Sequence, residues 1–340
     1  MTRGAEHRPV PPSPTDPFAP GHAVLAEARL RSWARGIGLA TTEEETARLA
    51  AAGLCRWASY VLPGHGVDDL ALMGQWAAFV CAVDDVFDEV PMAQTGLSAV
   101  ELMPQLLSVL TTCRPRTPSE SPRAAAASPP VVAALADLWW RTAQSAPEAW
   151  RRRFIARYTE FAEASIEEAE ARSSGTPLDL RTYLHIRHRS ITMLPLFEVS
   201  ERLCGIVLTD FWRNHKLVRT LRHAAVRAVS YGNDIASAEV ERALGQDNIV
   251  SVISQEQHCD RSSAYEQAAA HLREQLRLVR ATSAELGSGP AGAYAELMTN
   301  WVSGSLRWQS ETRRFGSAPN KASLVRCLLK ETGPWQELPE

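Results

Sequence analysis

The chain has 340 residues, 45% of them hydrophobic and 22% charged, with a formal net charge of −3 at pH 7. Charges of both signs are scattered along it, which excludes nucleic acid or an acidic membrane surface as a main partner. No run reaches the about 18 uncharged apolar residues that a membrane span needs. Cys55, Cys81, Cys113, Cys204, Cys259 and Cys327 stand apart without a CxxC or a Cys/His cluster. That argues against a zinc site or disulfide framework and places the protein in a reducing cytoplasm.

Residues 1–20, rich in proline and without the apolar core of a secretory signal, are expected to form a disordered tail. From there the apolar residues recur at i, i+3 and i+4, predicting helices over 23–37, 43–61, 67–90, 131–143, 150–172, 217–244 and 264–286. Thr41-Thr42-Glu43-Glu44-Glu45 marks a helix start. Period-2 alternation and hairpin dipeptides are missing, so the fold class is all-α. Residues 113–130 (CRPRTPSESPRAAAASPP) read as a long surface loop. Acidic motifs lie on both sides of that loop, so 21–320 is expected to be one domain, a single helical bundle, with 321–340 a tail or short helix.

The first motif is FVCAVDDVFDEV, residues 79–90. On a helix Asp84 and Asp88 are four apart and Asp85 is three before Asp88, so three carboxylates share one face. Like charges at that spacing repel, and they come after an apolar run where a buried helix would continue. The arrangement calls for a cation, and Mg²⁺, a hard ion that is shared readily with phosphate oxygens, suits it. The second motif is NDIASAEVE, residues 233–241. Asn233, Ser237 and Glu241, at i, i+4 and i+8, align an amide oxygen, a hydroxyl and a carboxylate, a hard-oxygen set for a further Mg²⁺.

Asp84-Asp85-x-x-Asp88-Glu89 resembles the aspartate-rich motif of class I terpene synthases, and Asn233-Asp234-x-x-Ser237-x-x-x-Glu241 resembles their second metal motif. Gly245-Gln246-Asp247-Asn248-Ile249-Val250 is similar to the segment after that motif in bacterial members, while Val240 stands where many carry lysine. The resemblance implies a class I helical bundle binding three Mg²⁺ ions and a linear prenyl diphosphate, C15 farnesyl or C20 geranylgeranyl. The activity it implies is Mg²⁺-dependent ionisation and cyclisation to a terpene with release of diphosphate. Tyr183-Leu184-x-x-Arg187 is similar to the family's diphosphate-sensing segment, which implies Arg187 as sensor, Ser190 as linker and Ile191 as effector through its carbonyl, with Pro195 marking a helix break. Arg189 reads as a surface residue. Trp308-x-x-x-Thr312-x-Arg314-Phe315 resembles the closing Arg-Tyr pair, with Arg314 a second diphosphate ligand and Phe315 in place of tyrosine.

A released allylic cation needs a dry, cation-tolerant wall. Phe79, Phe87, Trp301 and Trp308 are the aromatic candidates, Trp308 foremost because it lies in a matched motif. Ala77, Val80 and Cys81 form a wall of small side chains below Asp84, which favours a larger substrate. Two readings compete. A chain-elongating prenyl diphosphate synthase would carry a second Asp-rich motif where this chain has Asn233, Ser237 and Glu241. A non-catalytic helical binding protein would have no use for two metal motifs and their arginines. The resemblance leaves a homodimer open.

Overall fold

The structure is a computed structural model that describes residues 20–87, 99–112, 128–175, 177–316 and Val325. The expected N-terminal tail, most of the 113–130 loop and nearly all of 321–340 therefore lie outside the described residues, as does Asp88. Among the described residues every regular element is helical. The first half comprises α1 (Pro20–Ile37), α2 (Glu43–Ala52), α3 (Leu54–Val61), α4 (Val67–Phe87), α5 (Ala99–Thr112), α6 (Pro130–Ala143) and α7 (Glu148–Ser174). The second comprises α8 (Leu180–Ser190), α9 (Met193–Leu203), α10 (Asp210–Asn214), α11 (Lys216–Ala243), α12 (Ile249–Glu256), α13 (Arg261–Leu286) and α14 (Gly289–Glu311).

Local chemistry explains the boundaries. Thr42 caps α2 in a capping box with Glu45, satisfying amides that the first turn leaves open. The helix expected over 43–61 is in fact two helices, because Gly53 takes a left-handed conformation (φ 64°) that ends α2 and redirects the chain into α3. Glycine adopts that φ without the Cβ clash other residues suffer, whereas the i, i+4 apolar pattern simply runs across it. Asp68 and Asp69 occupy the first turn of α4, where negative charge suits the helix dipole.

Packing centres on α11, which lies against α13 and α14, while α4 packs on α1 and α3 and α14 returns to α3. α11 buries Val218, Leu221, Ala225, Val229, Ile235 and Ala236. Small residues among these let neighbouring helices approach closely. The core runs through the whole described chain, from Leu30 in α1 to Leu306 in α14. No helix among the described residues is long and apolar enough to cross a membrane.

Candidate active site

A cavity of about 730 Å³ lies among α3, α4, α7, α9, α11 and α14. The first acidic motif reaches it from α4: Asp84 and Asp85 stand at its rim, about half exposed. Arg314, just past α14, donates to both, from Nη2 to Asp84 Oδ2 (3.1 Å) and to Asp85 Oδ1 (2.8 Å). A cation thus already sits on this carboxylate pair, 229 residues away from Asp85 in sequence.

The second motif lines the same cavity from α11 through Asn233, Ser237 and Glu241. The Ser237 hydroxyl donates to Glu241 Oε1 (2.8 Å) and lies the same distance from the Asn233 carbonyl, while Asn248 Nδ2 donates to Glu241 Oε2 (2.8 Å). Burial pushes the Glu241 carboxyl up to about 8, the nearby Asp234 charge adds to this, and Arg187, Asn248 and Ser237 oppose it. A carboxylate buried beside an amide oxygen and a hydroxyl, and so reluctant to ionise alone, fits a divalent cation, whose charge would favour the ionised form. The oxygens present fit Mg²⁺, with Asn233, Ser237 and Glu241 as one set and Asp84 and Asp85 as the described part of the other.

Arg187 projects from the last turn of α8 onto this motif. Its Nη2 donates to Asn233 Oδ1 (2.7 Å) and its Nε to Asp234 Oδ1 (2.9 Å). Asp234 is fully buried and also accepts from the Tyr183 hydroxyl (2.5 Å) and the Ile249 amide (3.3 Å). One carboxylate thereby ties α8, α11 and α12 together around the arginine.

Arg187, Ser190 and Ile191 all line the cavity. The helix breaks after Ile191, where Thr192 is left-handed (φ 63°), and Pro195 lies inside the first turn of α9 rather than at the break. Its effect is exerted upstream. Pro195 is four residues after Ile191 and has no N–H, so a continuing helix could not engage the Ile191 carbonyl. The Ser190 hydroxyl is buried without a hydrogen-bond partner. Arg189 pairs instead with Glu167 (2.5 Å) away from the cavity.

The walls are apolar and aromatic. Ala77, Val80 and Cys81 line the cavity along α4, reaching about 10 Å below Asp84 at 1.5 Å per residue. Trp301 is held edge-on between Trp57 and Phe197, each 5.0 Å away by ring centroid, and its indole donates to Ser200 (3.0 Å). Trp308 also lines the cavity; its indole donates to the Ala52 carbonyl (2.6 Å) and its ring meets the edge of Phe315 at 5.8 Å. Phe79 does not contribute to this wall: it is buried against Trp76. The side chain of Phe87 lies outside the described residues.

Sequence reasoning missed Trp57 and Phe161 in the wall, and Asp234 and Asn248 behind the motif. Asp234 had a signal, a carboxylate on the apolar side of α11. Asn248 had one too, since it precedes the apolar run of α12 and caps it, accepting from the Val250 and Ser251 amides. Nothing local marked Trp57 or Phe161.

Residues 75–277 match the model of terpene synthase family 2, C-terminal metal binding, a span that includes Asp84 to Glu241. The chain belongs to the terpene synthase family. This terpene synthase is 27% identical over 313 residues to pristinol synthase of Streptomyces pristinaespiralis, covering 86% of this chain and 81% of the relative. It is 25% identical over 319 residues to a Streptomyces viridochromogenes enzyme named 7-epi-alpha-eudesmol synthase ((2E,6E)-farnesyl diphosphate cyclizing), covering 88% and 90%. Its fold matches linalool/nerolidol synthase from Streptomyces clavuligerus, solved in complex with 2-fluorogeranyl diphosphate, with TM-score 0.73, 24% identity and coverage of 84% and 98%. As a terpene synthase the protein is an enzyme, and its family implies a bound divalent metal.

Proposed function

We propose that the enzyme binds farnesyl diphosphate (C15) with three Mg²⁺ ions, breaks its allylic C–O bond and closes the resulting cation within the cavity. The observation that supports this most strongly is that one cavity carries the hard-oxygen motifs together with Arg187 and Arg314, and aromatic rings along its walls. The viridochromogenes relative's stated substrate supports the chain length.

Asp84, Asp85 and Asp88 would hold metal on one side, and Asn233, Ser237 and Glu241 on the other. When bound, Mg²⁺ neutralises negative charge that develops on the diphosphate as the C–O bond opens. Arg187 and Arg314 supply forked N–H donors to the same oxygens. To do so Arg314 must turn from the Asp84 and Asp85 carboxylates, and Arg187 must release the Asn233 amide oxygen while its Nε stays on Asp234. Those contacts keep both guanidiniums paired and poised before substrate arrives. Ile191, at the α8–α9 break, offers its carbonyl dipole toward the departing end, and Ser190 links it to the sensor.

Deeper in, the Trp57, Trp301 and Trp308 rings stabilise positive charge through their faces without offering a nucleophile. The small residues Ala77, Val80 and Cys81 leave room for the folded chain. The test is incubation with C10, C15 and C20 prenyl diphosphates, with and without Mg²⁺, reading diphosphate release and extracted hydrocarbons by mass spectrometry. Cyclic C15 product only with Mg²⁺ is the expected result. Preferred turnover of the C20 substrate would reassign chain length, and a requirement for isopentenyl diphosphate would reassign the reaction to chain elongation.

A further inference from the structure

The lower end of the bundle carries a cluster that the terpene chemistry does not use. His65 lies in the turn between α3 and α4, Asp69 in the first turn of α4, and Cys204 at the C-terminal cap of α9. His65 Nδ1 is 3.0 Å from Asp69 Oδ2, and His65 Nε2 is 3.6 Å from Cys204 Sγ. The two contacts use both ring nitrogens, so the imidazole is clamped between a carboxylate and a sulfur. None of the three lines the active-site cavity. The nearest cavity-lining residues on the same helices, Leu196 on α9 and Ala77 on α4, are each about 12 Å away along the helix at 1.5 Å per residue.

We propose that Cys204 is a reactive thiol activated by the His65–Asp69 pair, and a modification site for small hydroperoxides. The thiolate is the form that attacks. An imidazolium at hydrogen-bond distance gives its charge a counter-ion, and Asp69 in turn holds and orients that imidazolium, the order of groups used wherever a sulfur or oxygen nucleophile is activated. His65 is pushed up to about 9, first by Asp69 and then by Cys204, so it carries its proton at neutral pH.

The step needs only these groups and one hydroperoxide. The sulfur attacks the distal peroxide oxygen, an S–O bond forms and the O–O bond breaks. Sulfur is oxidised to the sulfenic acid, the peroxide is reduced, and the His65 proton goes to the leaving hydroxide or alkoxide to give water or an alcohol. Cys204 is partly exposed, so a small peroxide reaches it. The other described cysteines differ in kind. Burial, reinforced by the neighbouring Glu27, pushes the Cys55 thiol well up and holds it protonated. Burial, aided by the nearby Asp85 and Asp84, pushes Cys81 up to about 11 despite Arg314. The Cys259 sulfur meets the Ile253 carbonyl and the Gln267 amide, neither of them a charged group.

Peptide-resolved mass spectrometry of the full chain tests this, with iodoacetamide as a probe of thiol reactivity and hydrogen peroxide plus dimedone to trap sulfenic acid. Cys204 is expected to alkylate about tenfold or more faster than Cys259 and to carry the dimedone adduct. His65→Gln should bring its rate down to that of Cys259, and Asp69→Asn should lower it part of the way. Far-UV circular dichroism and retained terpene turnover show that each variant is folded; should His65→Gln misfold, Asp69→Asn, at a partly exposed position, decides alone. Equal alkylation of Cys204 and Cys259 in the wild type, or an unchanged Cys204 rate in a folded variant, would overturn the proposal. Neither result bears on the cyclase reading, whose groups lie elsewhere.

Discussion

Asp234 is a fully buried carboxylate whose contacts all serve position: it holds Arg187, Tyr183 and the start of α12 and does not line the cavity. Asp234→Asn keeps the shape and removes the charge that aims the guanidinium. Loss of such an orienting partner typically costs about 10–100-fold in activity or metal affinity, and kcat is expected to fall by that factor; the thermal midpoint should fall as well, because the buried guanidinium loses its counter-ion. Steady-state kinetics beside a melting curve check it; wild-type kcat would show that Arg187 needs no anchor. Arg187 itself is expected to act on the leaving diphosphate in the transition state, so Arg187→Ala should lower kcat by roughly 10² to 10³ with a smaller change in KM. Lysine at that position keeps charge without the fork and should restore part of the rate. Arg189, two residues on and paired with Glu167, is the internal comparison. A dead Arg189→Ala with an active Arg187→Ala would exchange their roles.

Elements matter here through how closely they approach. α14 carries Trp301 and Trp308 into the cavity and leads to Arg314, so its seat on α3 fixes three site groups at once. Gly304 is that seat. A Cβ there would stand 2.8 Å from both the Tyr60 carbonyl carbon and Tyr60 Cβ, and backbone cannot swing aside as a side-chain tip can. Gly304→Ala is expected to destabilise the protein by about 1–3 kcal/mol, the usual range for overpacking. A thermal melt should show a drop of several degrees, with product distribution altered as well because both tryptophans shift. An unchanged melting curve would mean that α3 and α14 have slack between them. The α8–α9 break acts in the same way on Ile191. Thr192 holds the turn in a left-handed conformation, and Pro195 removes the donor that would otherwise occupy the Ile191 carbonyl.

For the molecule as a whole, the burial that prepares the site has a pH signature. Glu241 is pushed from the ordinary 4.5 up to about 8 in the metal-free enzyme, and Glu201 up to about 7 by burial beside Glu198. Between the unfolded and folded values the native state holds more protons than the unfolded chain, so stability falls as pH rises through about 4.5 to 8. His188, lowered to about 3 by burial, works in the opposite direction, but only below its ordinary 6.5. Above that pH the carboxyl contributions are left unopposed by it. Thermal midpoints of chelated enzyme should therefore decline from about pH 6.5 to 8, and Glu241→Gln, which cannot ionise, should decline less. Mg²⁺ with inorganic diphosphate should flatten the wild-type slope by compensating the charge. A wild-type slope identical to that of Glu241→Gln would show that Glu241 ionises freely in the folded protein.

The helical class, the two oxygen motifs and Arg187 with its 46-residue separation from Asn233 were legible in sequence, because each rests on spacing within one helix or on a matched short segment. Helical periodicity is local, and a carboxylate or amide repeated every turn declares its face without knowledge of what lies opposite. The rest required the folded chain. Gly53 splits what reads as one helix, since an apolar pattern continues through a left-handed residue that only the packing of α2 and α3 demands. Phe79 and Trp57 exchanged places in the wall because an aromatic's role depends on which neighbour covers it, and both are equally apolar in sequence. Arg314 on Asp84 and Asp85, Asn248 on Glu241 and His65 on Cys204 join residues through tertiary contact, the last pair 139 positions apart. Side-chain type fixes what a group can bond to; only the closing of helices over one another decides which partner it meets.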